Sequence, residues 1–130
     1  MASSNVIKLL DKVQCLQGTG NWTYGEAVAL QNHQTDFLLV GKCICESVTV
    51  TLKYKVEHSP DGVRWSPLID SSGAAIEFQC VSTTAGAPVQ TCAIKLADTP
   101  ILPYIRGICG EADVSATCEC TLDLHYTTFK

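Results

Sequence analysis

Between residues 48 and 58 the chain alternates without a break: Val48, Val50, Leu52, Tyr54 and Val56 fall on one side, and Thr49, Thr51, Lys53, Lys55 and Glu57 on the other. A period of two is the pattern of a strand buried on one face. Ser59-Pro60-Asp61-Gly62 follows, in which proline presets φ at the second turn position and glycine accepts positive φ, and then Val63-Arg64-Trp65-Ser66-Pro67-Leu68. The two runs are expected to form a β-hairpin.

The same period recurs downstream. Ile76, Phe78 and Cys80 alternate with Glu77 and Gln79, and beyond a loop at 82–88, rich in Thr, Ala, Gly and Pro, Cys92, Ile94 and Leu96 alternate again. After Asp98-Thr99-Pro100, residues 101–109 read as a strand, 110–113 as a turn and 114–129 as a long closing strand with Ala116, Cys118, Cys120, Leu122, Leu124 and Tyr126 on one face. Upstream, 27–30 and 37–44 read as extended, around a polar link at 31–36. About seven or eight short strands separated by turn signals predict an all-β fold, an antiparallel β-sandwich or jelly-roll-like arrangement, rather than a parallel sheet with crossover helices.

The length of 130 residues fits one domain, 1–130. Its start is ambiguous: Val6, Leu9, Leu10 and Val13 fit helical spacing behind Ser4 or Asn5 as a cap, yet residues 1–20 fit an N-terminal arm as well.

Only 17% of the residues are charged against 46% hydrophobic, below the roughly 25% charged of an average domain, which points to burial against partners. Nine scattered basic residues in a chain of net charge −4 offer no footprint for a phosphate backbone, so nucleic acid is not expected as a ligand. Apolar runs such as 37–40 are far shorter than the ~20 residues that cross a bilayer, and Met1-Ala2-Ser3-Ser4 lacks a signal h-region, so neither a membrane anchor nor export is expected.

The eight cysteines, Cys15, Cys43, Cys45, Cys80, Cys92, Cys109, Cys118 and Cys120, imply disulfides or metal. Disulfides persist in oxidising places, virion surfaces among them, so a chain without an export signal can mature after host lysis. Each Cys-x-Cys pair on a strand points both sulfurs to one face. Carrying the parity of residues 48–58 backwards puts Cys43 and Cys45 with the polar set, whereas Cys80, Cys92, Cys118 and Cys120 fall with the core set. All eight are disulfide candidates, and Cys15, Cys43 and Cys45 are the candidates for bonds to another subunit, the alternative being closure within the chain. A Cys80–Cys92 bond would close a loop of about a dozen residues, for roughly 3 kcal/mol of chain entropy, but eight cysteines leave the connectivity open. Structural zinc favours Cys-x(2–4)-Cys on turns, which Cys-x-Cys on a strand reproduces poorly, so disulfides are favoured over the alternatives of a zinc site and of reduced cysteines packed as small hydrophobes, and no metal or other cofactor is expected.

No catalytic constellation emerges. His33, His58 and His125 have no metal-ligand spacing, and there is no nucleophile elbow, P-loop or dinucleotide fingerprint. Asp61 and Asp70 could be an acid pair or calcium ligands, but Asp61 reads more simply as the turn residue of Pro-Asp-Gly. Trp22, Tyr24 and Trp65 are buried anchors or a sugar-stacking platform. Asn21-Trp22-Thr23 matches the glycosylation sequon, which carries weight only in a secretory protein.

Residues 26–68, above all the run from Val50 through Glu57-His58-Ser59-Pro60-Asp61-Gly62 to Trp65, resemble small virion proteins of tailed bacteriophages, in which a strand ending in such a turn leads into a Trp or Phe strand. Pro103-Tyr104-Ile105-Arg106 is similar to the Tyr-Ile-Arg strand that follows in those proteins. The resemblance covers about half the chain. It implies a non-enzymatic decoration or cement protein, made in the host cytoplasm and carried on the capsid exterior, that grips the major capsid protein, commonly as a homo-oligomeric trimer. The cysteine content departs from the family and looks like the habit of phages whose virions are stitched by disulfides. The alternatives are a neck, tail or fibre-attachment component of the virion, and a carbohydrate-binding sandwich.

Overall fold

The computed structural model describes residues 2–30, 34–46, 50–70, 72–82, 85–86, 89–96, 101–113 and 118–129. Among these residues ten strands form and no α-helix: β1 (Ala2–Gln14), β2 (Trp22–Tyr24), β3 (Val28–Ala29), β4 (Gln34–Cys45), β5 (Thr51–Ser59), β6 (Ser66–Pro67), β7 (Glu77–Val81), β8 (Val89–Leu96), β9 (Tyr104–Gly110) and β10 (Cys118–Phe129). The named strands pair antiparallel throughout, in two sheets. The first runs β1-β10-β4-β8. The second is built on the β9–β5 pair, with β2 and β3 along the far side of β9 and β6 and β7 along the far side of β5.

The predicted alternation holds where it was clearest. Val50, Leu52, Tyr54 and Val56 are buried, as are Phe78 and Cys80 on β7 and Cys118, Cys120, Leu122 and Leu124 on β10. Burying a Leu- or Val-sized side chain stabilises by about 1.5–3 kcal/mol, so these inward rows hold the two sheets together. The predicted hairpin forms with Gly62 at φ 77°, but β6 pairs only through Glu57↔Pro67 and His58↔Ser66. Beyond it the Leu68 N–H donates to the Val56 carbonyl at 3.0 Å, and β7 occupies the rest of the β5 edge. Likewise β9 starts at Tyr104, after Pro103, rather than at 101. Residues 114–117 and His33 lie outside the described residues.

Residues 2–14, expected as helix or arm, form the edge strand β1 against β10. Helical spacing misled because two register shifts, between Lys8 and Leu10 and between Leu10 and Val13, reset the alternation. They turn both Leu9 and Leu10 inward at 3% and 1% exposure, while Val6 faces out; Lys12 takes the left-handed φ of 54° at the second shift. Gly107 on β9 accommodates this crowding: a Cβ there would stand 2.9 Å from Leu9 Cβ and 3.0 Å from Leu122 Cδ2.

A hydrogen bond from Tyr54 helps to join the sheets through the core. The Tyr54 hydroxyl on β5 donates to the carbonyl of Lys42 at 2.5 Å, where β4 has a register irregularity against β8. Tyr54→Phe removes that bond and is expected to destabilise the fold by about 0.5–1.5 kcal/mol, read from the midpoint of urea unfolding at constant slope.

Candidate functional site

The interior of the sandwich is lined with sulfur. The two Cys-x-Cys motifs stand directly opposite one another, Cys45 against Cys118 and Cys43 against Cys120. Cys45 and Cys118 are disulfide-bonded, with Cα atoms 4.2 Å apart, near the ~4.5 Å of a non-hydrogen-bonded antiparallel pair. Cys43 Sγ lies 3.3 Å from Cys80 Sγ on β7, in the other sheet. Cys15, Cys109 and Cys120 bring three more sulfurs together, all within 4.8 Å of one another.

The expectation that Cys43 and Cys45 face outward is thereby corrected: each is 1% exposed. Parity could not be carried back from residues 48–58 because β4 and β5 belong to different sheets, so the chain between them passes from one layer to the other. Cys15 is also buried, at 2%. A bond from any of these three to another subunit would require its strand to leave the sandwich. Cys92 lies opposite Gly41 on β8, and its side chain lies outside what the structure describes.

Packing thiols together couples their ionisation. Donation from Cys109 and Cys120 holds Cys15 well below the usual thiol range, at about 4, against the opposing effect of burial. Cys109, pulled down by Cys120 but donating to Cys15 and buried, is pushed up to about 12. Cys120 is driven up by donating to both neighbours and by burial. Burial first, and then the nearby Cys120, Cys80 and Cys43, keep the Tyr54 phenol protonated.

The outer face of the second sheet has a different character. Arg106, opposite Glu57 in the β9–β5 ladder, donates Nε and Nη2 to Glu57 Oε1 at 2.9 and 2.6 Å. Its guanidinium carbon stands 4.7 Å from the Tyr24 ring centre and 4.3 Å from that of Trp65. Beside it the Lys55 ammonium sits 3.9 Å from the Trp22 ring centre, within ion-pair reach of Glu77; Lys53 pairs with Glu77 and Glu111. Gly110 allows Trp22 to lie close, since a Cβ there would come within 2.9 Å of its Cα and Cε3. Ile108, in register with Tyr24 and Lys55 on this face, is 2% exposed. The sequence suggested Trp22, Tyr24 and Trp65 as a group but not the cations between them, because those pairings are set by strand order.

The remaining predicted residues are local fixtures. Asp61 accepts from the backbone N–H groups of Val63 and Arg64, and from Ser59 Oγ, which together hold its carboxyl far below the usual range. Asp70 accepts from the Ser72 hydroxyl and from the N–H groups of Ala74 and Ser72, and is lowered likewise. His58 is lowered by burial and accepts from the Leu102 N–H at Nδ1. His125 faces Val6 and Leu38 across the β10 ladders. Among the described residues these carboxylates and histidines do not converge on one another.

An antiparallel β-sandwich with a sulfur-lined core is the class of protein that this fold defines. Solved structures similar to it come from infectious bursal disease virus. The structure is similar to one of infectious bursal disease virus Gx strain, at 14% identity and TM-score 0.50, over 98% of this chain and 32% of that one. The VP2 subviral particle of the same virus, at 13% identity and TM-score 0.46, and its T=1 particles, at 12% and 0.47, match over the same shares of both chains. This chain therefore spans about a third of the length of those proteins, and at such identity the likeness is one of fold. No family model and no curated protein matches the sequence.

The Cys45–Cys118 bond spans a sequence separation of 73 residues, for which loop-closure entropy gives about 4 kcal/mol. Cys45→Ala with Cys118→Ala is expected to lose stability of that order in urea unfolding, and reductant should then have far less effect than on the parent.

Proposed function

We propose that this chain is a structural virion protein that acts through protein contacts rather than catalysis, in particular a protein that decorates or links the capsid of a tailed bacteriophage. The observation that carries this reading is the outer face of the second sheet. There the two stretches similar to small phage virion proteins meet: Arg106 of the Tyr-Ile-Arg run lies on Glu57 and Trp65 of the hairpin, and the Gly62 turn packs near the Tyr104 ring. Trp, Tyr and Arg dominate the energetics of protein interfaces. Holding the guanidinium between two rings and a carboxylate before a partner arrives reduces the ordering cost of binding. The exposed Tyr24 and Val63, at 55% and 78%, extend the surface. The fold likeness to a protein of infectious bursal disease virus supports the same reading.

The partner on this reading is the major capsid protein, engaged by a homo-oligomer, a trimer in the favoured form, that is made in the host cytoplasm and carried on the capsid exterior. A neck, tail or fibre-attachment position is the alternative within the virion. A sugar-stacking role for Trp22 and Trp65 is less well supported, because Lys55 and Arg106 already cover a face of each ring.

Sulfur chemistry fits a mechanical role. Cys43 and Cys80, 3.3 Å apart across the two sheets, would lose two protons and two electrons to a disulfide oxidant after lysis and so bond the layers face to face. Tryptic mapping of the protein from mature virions should find a Cys43–Cys80 peptide lacking two hydrogens; a purely reduced pair there removes this stiffening from the account.

Capsids of the encoding phage, prepared without this chain, should bind the purified protein saturably in sedimentation. Trp65→Ala or Arg106→Ala is expected to weaken binding at least tenfold, about 1.4 kcal/mol or more. Capsid binding unchanged by both substitutions, or glycan binding abolished by Trp65→Ala in a folded protein, would remove the support.

A further inference from the structure

Neither the disulfide nor the proposed cross-sheet bond uses Cys15, Cys109 and Cys120. Their sulfurs lie within 4.8 Å of one another and arrive from three segments of the chain. Cys15 follows β1, anchored by its N–H donating to the Cys118 carbonyl at 2.9 Å. Cys109 is on β9, in the other sheet, opposite Tyr54, and Cys120 is on β10 opposite Val13 and Cys43. All three are buried, at 2%, 0% and 0%.

The number three is informative. Oxidation pairs two sulfurs and leaves the third as a thiol, a weak hydrogen-bonding group, inside the core. A soft cation takes all three at once. With metal–sulfur bonds of about 2.3 Å, three ligands around one ion stand about 4 Å apart, so sulfurs already within 4.8 Å need move only slightly. Thiolates select ions such as copper(I) and zinc(II) over hard cations. Cys15 Sγ lies 3.6 Å from the carbonyl of Leu16, a residue that is itself 46% exposed. A motif search misses the group because its members are separated by whole strands rather than by a two- to four-residue spacing.

We propose that Cys15, Cys109 and Cys120 form a three-thiolate site for one thiophilic d10 cation, which clasps β9 of one sheet to β1 and β10 of the other. Three metal–sulfur bonds form, every proton still on sulfur passes to water, and no electrons are transferred. The ion then acts as a cross-link that stabilises the folded chain, in which the three sulfurs are already gathered.

The full chain, purified under argon with Cys45–Cys118 intact, is titrated with zinc(II) in one arm and copper(I) in the other, then dialysed and assayed for metal. One equivalent per chain is expected in at least one arm, with a raised Tm and three sulfur neighbours near 2.3 Å by X-ray absorption. Cys15→Ser and Cys109→Ser should each weaken uptake at least tenfold, while Cys43→Ala keeps it. The sulfur count is read on the parent protein and so does not depend on any variant folding. Uptake of neither ion, fewer than three sulfurs around the bound ion, a disulfide within the trio in the purified chain, or full uptake by a folded Cys15→Ser protein would each overturn the assignment.

Discussion

The register of β10 against its two neighbours governs the rest of the sandwich. This strand is interior to the first sheet, between β1 and β4, and Cys118, Cys120, Leu122 and Leu124 along it are fully buried. Strand side chains alternate strictly, so a slip of one residue would expel all four and bring Glu119, Thr121 and Asp123 inside. Two features oppose such a slip. One is the covalent bond to Cys45. The other is Asp123, itself only 3% exposed on the outward side of the strand, flanked by Lys8 Nζ of β1 at 3.5 Å and Lys42 Nζ of β4 at 3.3 Å. A shifted strand would carry that buried carboxylate away from cations fixed to both neighbours, and a buried charge without its partners is costly.

The inner and outer surfaces of the second sheet are coupled through the same strands. Tyr54 and Cys109 face each other inward, and one residue along, Lys55 and Ile108 face each other outward. The aromatic and cationic side chains outside are therefore placed by the packing inside. Gly107 and Gly110 work on opposite faces of β9, the first admitting Leu9 and Leu122, the second admitting Trp22. A larger residue at either would shift the strand that positions both surfaces.

What was legible in the sequence was whatever depends on neighbours along the chain. The alternation at 50–56, 76–80 and 118–124 and the Pro-Asp-Gly turn follow from pleat geometry and backbone preference, and they read correctly. Bulges defeated the reading of residues 2–14, because resetting the phase at Leu9-Leu10 imitates helical spacing. Parity failed for Cys43 and Cys45 because it does not survive a passage between layers. The Arg106 cluster and the Cys15, Cys109 and Cys120 group were invisible for a third reason: they depend on which strands become neighbours, and no local pattern encodes that β9 lies between β2 and β5, or that the end of β1 meets β10.

The position of the disulfide along the chain bears on how the molecule carries force. The segment between Cys45 and Cys118 contains β5, β6, β7 and β9 of the second sheet together with β8 of the first. Tension applied between β1 and the end of β10 takes the covalent short cut through the two sulfurs. The enclosed ring stands beside that load path, so β5, β6, β7 and β9, with Trp65 and Arg106, are left unstretched, while β2 and its Trp22 share the pull with β1, β4 and β10.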